Sequence, residues 1–128
     1  MAAVGLLSAA VVGVLLVRGR NGPGQPVLDA SFTQLTAQPG VEQFPSLSPD
    51  GRWVVYSGDA AGNLDIYLQS VGGQVPINLT KDSPAPDTEP AFSPDGERIA
   101  FRSGRNGGGI FIMGRTGEAV TQVVQHRA

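Results

Sequence analysis

Cysteine is absent from the 128 residues, which excludes a disulfide framework and any thiolate-based metal or redox site. Histidine occurs once, as His126 near the end of the chain. A Ser-His-Asp nucleophile system would have to rely on that one residue, so hydrolase chemistry is not expected. Lysine also occurs once, as Lys81, and neither a Gly-rich phosphate loop nor an Asp-Phe-Gly metal motif is present, which excludes a phosphotransfer centre within this sequence. The formal net charge is −2, with acidic and basic residues interspersed. No basic stripe marks a nucleic-acid surface. No catalytic residue, cofactor or metal ligand is therefore expected.

What the sequence has in quantity is glycine, 18 residues, and proline, 10 residues, and both fall in a repeat. Phe44-Pro-Ser-Leu-Ser-Pro-Asp-Gly51 returns as Glu89-Pro-Ala-Phe-Ser-Pro-Asp-Gly96, so that Asp50 and Asp95 stand 45 positions apart. Ser48-Pro49-Asp50-Gly51 and Ser93-Pro94-Asp95-Gly96 read as type I turns, with proline second and a left-handed glycine last. Short strands are expected at 45–48 and 90–93 before each turn. The runs 52–57 and 97–102 follow it, where Val54 and Tyr56 match Ile99 and Phe101. Glycine-rich hairpins at 58–63 and 104–108 lead to third strands over 65–70 and 109–114. A last short strand at 77–80 is prefigured at 32–36 and echoed at 120–123. Four strands on a period in the mid-forties predict an all-β chain of two four-stranded blades of an incomplete β-propeller. The expected segments are an apolar helix at 1–18, a Pro/Gly-rich linker at 19–31, repeats at 32–76 and 77–118, and the start of a third repeat at 119–128.

Ser-Pro-Asp-Gly, the β-branched and aromatic strand after it, the Gly hairpin, Asp65-Ile-Tyr67 and Asn78-Leu-Thr80 together resemble the WD40-like repeat of TolB-type propellers. The resemblance covers residues 32–123. The order of apolar segment, linker and first blade, with Tyr67-Leu-Gln-Ser-Val-Gly-Gly-Gln74, is closer still to the propellers of bacterial membrane-anchored serine/threonine kinases. Rings of this kind need about four to eight blades, so the chain is expected to be a fragment of a longer gene product. The alternative is ring closure by self-association.

The one long apolar run, 2–17, carries no charge and ends at Arg18-Gly-Arg20. A spanning helix needs about 17–25 apolar residues. A signal peptide would want a basic start and a small-residue cleavage site, and neither is evident. A single-pass membrane anchor is expected. Arginines after the run argue for repeats inside the cell, whereas the resemblance implies repeats outside; the outside placement is adopted. Residues 21–26 then form a solvated tether.

Among polar residues, Asp50 and Asp95 are read as turn stabilisers rather than acid–base groups. Asp59, Asn63 and Asp65 lack the glycine and terminal glutamate of a calcium loop and are read as a hairpin turn. Asp82, Asp87 and Glu89 cluster in the Pro-rich connection before the second repeat, where loop residues contact partners. They are the candidate rim contacts. Three roles follow from the resemblance: the non-catalytic sensor or docking end of a kinase, the blades that gate a prolyl-oligopeptidase-type peptidase, or a free-standing scaffold of TolB type. All three imply a protein partner or further blades.

Overall fold

The computed structural model describes residues 30–126; residues 30–32 have no regular structure, and the compact unit begins at Thr33. The apolar run expected to form a helix lies outside the described residues. Among the described residues no helix is long and apolar enough to cross a membrane.

Among the described residues eight strands form two antiparallel sheets. The first is built in order from β1 (Glu42–Leu47), β2 (Trp53–Gly58), β3 (Asp65–Ser70) and β4 (Ile77–Asn78). The second repeats the pattern with β5 (Asp87–Phe92), β6 (Arg98–Ser103), β7 (Gly109–Gly114) and β8 (Thr121–Gln125). Hydrogen bonding thus divides the chain one strand away from the repeat limits read from sequence. Ile77 and Asn78 pair with β3 and close the first sheet, and residues 121–125 pair with β7 and close the second. The segment 32–36, expected as a strand, has no ladder. Its Leu35 carbonyl instead accepts a hydrogen bond of 2.6 Å from the Gln69 side chain.

β1 and β5 both begin three residues before the proline that was expected to open them. The chain passes Pro45 and Pro90 through bulges at 43–46 and 88–91. In each bulge the residue before proline is left-handed, Phe44 at φ 54° and Glu89 at φ 55°. Proline clashes with a preceding residue in the right-handed helical region, and the bulge absorbs the missing N–H.

One core lies between the sheets. Val55, Ile66 and Leu68 of the first sheet meet Ile99, Phe101, Phe111 and Met113 of the second, with Trp53, Leu79 and Phe92 at the margin. Side chains alternate across a strand, so the neighbours Val54, Tyr56 and Tyr67 form a separate cluster on the other face of the first sheet. β2 is therefore buried on both faces, not on the single face that its alternation with β6 suggested. β6 itself alternates, with Ile99 and Phe101 buried and Arg98 and Arg102 exposed. By repeat equivalence the same face that packs inward from the first sheet is presented outward by the second, through Ile110 and Ile112.

Candidate functional site

Antiparallel order sends the connections alternately to the two ends of the sheets. At one end lie the two Ser-Pro-Asp-Gly turns. The amide of Gly51 donates to the Ser48 carbonyl at 2.9 Å, and that of Gly96 to Ser93 at 2.9 Å. The Ser48 hydroxyl donates to Asp50 Oδ1 at 2.6 Å and accepts from the Trp53 amide at 2.9 Å, while the Arg52 amide donates to the same carboxylate oxygen at 3.0 Å. The second copy matches it: Ser93 to Asp95 at 2.5 Å, with the Glu97 and Arg98 amides each at 3.0 Å. Gly51 and Gly96 supply the left-handed step, at φ 69° and 73°. In both turns the serine hydroxyl and the Oδ1 oxygen of the aspartate are engaged in holding the turn itself.

Those bonds favour the ionised carboxylates. The Ser48 hydroxyl, then the Arg52 amide, hold Asp50 below its ordinary value of 3.8, and Ser93 and Glu97 do the same for Asp95. Thr116 depresses Glu118 likewise from 4.5 in the β7–β8 turn. A pKa lower in the folded than in the unfolded chain adds stability that is complete above the ordinary carboxylate range and is lost as pH falls through the folded values. Urea midpoints are therefore expected to hold steady from neutral pH to about 5 and to drop below about 4. Ser48→Ala should cost about 1 kcal/mol at neutral pH and flatten part of that acid loss. An unchanged acid profile in the variant would show that the turn hydroxyl does not set it.

The opposite end gathers the β2–β3 hairpin, the connection 79–86 and the β6–β7 hairpin. Asp59 accepts from the Val41 amide at 2.7 Å, and Asn63 reaches across to the Ser83 and Ala85 carbonyls at 3.2 Å each. Asn63 also donates to Asp65 Oδ1 at 3.3 Å, and Asn78 to Asp65 Oδ2 at 2.7 Å. Asp59, Asn63 and Asp65 thus fasten loops together. Among the described residues no group of three or more histidine, aspartate or glutamate side chains is arranged to hold a metal ion.

The three candidate rim acids separate in space. Asp82 is exposed on the connection. Glu89 is exposed in the β5 bulge, 3.5 Å from Arg102. Asp87 is fully buried as the first residue of β5, where Arg105 contacts its Oδ2 at 2.5 Å and its amide donates to the Leu64 carbonyl at 2.8 Å. It has no surface to offer a partner, because the strand begins at Asp87 and carries it between the sheets. Arg105, which sequence reading left as an ordinary hairpin residue, lies 5.4 Å from both the Phe101 and the Phe111 ring centroids. Its geometry is a half-buried clamp on a buried carboxylate.

Among the described residues four buried side-chain atoms have no hydrogen-bond partner: Tyr56 Oη, Ser57 Oγ, Gln69 Oε1 and Asp87 Oδ1. Tyr56 stacks on Tyr67 with centroids 5.7 Å apart, and its hydroxyl finds no hydrogen-bond partner among the described residues. Burial, then the nearby Glu42 and Tyr67, push its pKa up to about 12. Asp87 Oδ1 is likewise unpartnered there.

Known proteins share this sequence pattern and this fold. The model of the TolB beta propeller domain matches residues 27–127. An uncharacterized protein of Agrobacterium fabrum is 35% identical over 71 residues, 56% of this chain and 24% of that protein. The Tol-Pal system protein TolB of Bordetella pertussis is 49% identical over 43 residues, 34% of this chain and 10% of that protein. Among solved structures, a TolB-like structure from Agrobacterium tumefaciens superposes with a TM-score of 0.65 at 28% identity, covering 72% of this chain and 36% of that one. TolB from Acinetobacter baumannii gives 0.56 at 28% identity over 74% and 22%. The chain thus spans about a quarter or less of the curated relatives it matches and about a third or less of the solved ones. With 101 consecutive residues, 27 to 127, under one family model, this chain belongs to the TolB beta propeller domain family.

Proposed function

We propose that the chain is a non-catalytic protein-binding module of TolB type, and that it meets its partner through the end of the sheets opposite the Ser-Pro-Asp-Gly turns. One observation carries the reading: the exposed connection bearing Lys81 and Asp82 is fixed by Asn63 through the Ser83 and Ala85 carbonyls. A loop held in one conformation before contact avoids the ordering cost of binding. Glu89 adds a second exposed acid on β5, the first strand of the second sheet. The chemistry suits a protein surface with basic groups.

Photocrosslinking residues placed in living cells at Asp82, at Glu89 and, as a control, at Glu97 beside the far-end turn test this. Adducts severalfold stronger at 82 and 89 than at 97 are expected. Equal labelling at all three would remove the assignment of this end.

A narrower role, the sensor end of a membrane-anchored signalling kinase with the repeats outside the cell, is supported by the order of apolar run, tether and first repeat. An in-frame kinase domain upstream in the genome would support it; a prolyl-oligopeptidase-type domain or further blades alone would replace it.

A further inference from the structure

The two sheets differ in how their edges are protected. β1 and β5 each carry a proline and a bulge. β4 has only two residues and follows Pro76. Short strands, proline, charges and bulges are the devices that keep edge strands from pairing with other chains. β8 has five residues, lies at the outer edge of its sheet, and contains neither proline nor charge. Val123 and Val124 are 50% and 55% exposed on it. Its single protective feature is a register shift: Val124 lies opposite Ile110 and Gln122 opposite Phe111, which leaves Val123 without a partner in β7.

We propose that β8 is a strand-pairing site for a second copy of this chain. Gln122-Val123-Val124-Gln125 reads the same in both directions. An antiparallel pairing about a twofold axis therefore sets Val123 against Val124 of the second copy and Gln122 against Gln125, with Thr121 against His126. Self-complementarity is what a twofold interface requires, because each contact must recur with the copies exchanged. No like charges face one another in that register, and the amide side chains meet amide side chains. Ile110, Val124 and Val123 of the second copy then form one apolar row across the junction, which covers surface that Ile110 exposes at 38%. Backbone pairing of β8 with its copy joins the two second sheets into one continuous sheet. A strand from an unlike protein would lack this built-in symmetry.

The absence of cysteine gives a direct test in the full chain, held in detergent micelles so that the apolar run is accommodated. Val123→Cys and Val124→Cys versions are mixed and oxidised. Crosslinks between position 123 and position 124 are expected to exceed either like-with-like crosslink at least tenfold. Separately, Val124→Lys is expected to raise the dimer dissociation constant at least tenfold without shifting the thermal midpoint, since the side chain is exposed. Equal crosslinking among all combinations, a dimer indifferent to Val124→Lys, or a chain that stays monomeric at about 100 μM would each overturn the proposal. So would preferential capture of residues 121–125 by an unlike strand.

Discussion

Arg105→Met is expected to cost the fold about 3–5 kcal/mol, because it strands the Asp87 carboxylate inside the protein. The side chain of Asp87 is completely buried and that of Arg105 is 22% exposed, so the pair is shielded from salt as well as from water. Asp87 Oδ1 already lacks a partner among the described residues, and without the guanidinium Oδ2 would lose its partner too. Arg105 also lies against Phe101 and Phe111, which is why methionine, matching its length and apolar stem, is the informative replacement: it keeps much of the packing and removes the charge. Chemical denaturation of the single variant should show the loss at both low and high salt. Adding Asp87→Asn to Arg105→Met should recover a large part of it, because the buried charge is gone. If the double variant is no more stable than the single one, the cost lies in packing over the aromatic rings and not in the stranded carboxylate.

This ion pair also marks where sequence reading stops. The repeat was legible wherever local chemistry determines local shape. Serine, proline, aspartate and glycine specify a turn between themselves, and the bounds of β3 and β7 follow from Asp65-Ile-Tyr67 and Gly109-Ile-Phe111 set between glycine-rich turns. The starts of β1 and β5 were not legible, since Pro45 and Pro90 look like strand openings until the left-handed bulges at Phe44 and Glu89 are seen. Asp87 was read as a loop acid because it sits among Pro84, Pro86 and Pro90. Its burial depends on the Leu64 carbonyl and on Arg105, neither of which is a sequence neighbour. Glu42, one repeat earlier in the same place, takes the Thr36 hydroxyl at 2.6 Å and the Gln38 amide at 3.0 Å instead of an arginine. The two repeats share an acid at this position and differ in what it holds, so repeat equivalence alone could not name the partner.

Phe101→Ala should be the most damaging core substitution, with a loss of about 3–5 kcal/mol, a large share of the roughly 5–15 kcal/mol that a small domain has in total. The ring is 1% exposed and packs on Phe111 with centroids 5.9 Å apart, within the layer that joins the sheets. Its removal leaves a cavity bounded by both sheets, so the damage is shared. Ile66→Ala, made in the first sheet on the facing side of that layer, should lower the same transition by about 2–5 kcal/mol. Trp53, at the margin of the core, reports the first sheet by fluorescence, while far-UV circular dichroism reports both. If the layer makes the two blades one cooperative unit, the two signals move together in both variants. Separate transitions would mean that each four-stranded sheet stands on its own, which neither could do easily with one face of Val55, Ile66 and Leu68 or of Ile99, Phe101, Phe111 and Met113 turned to water.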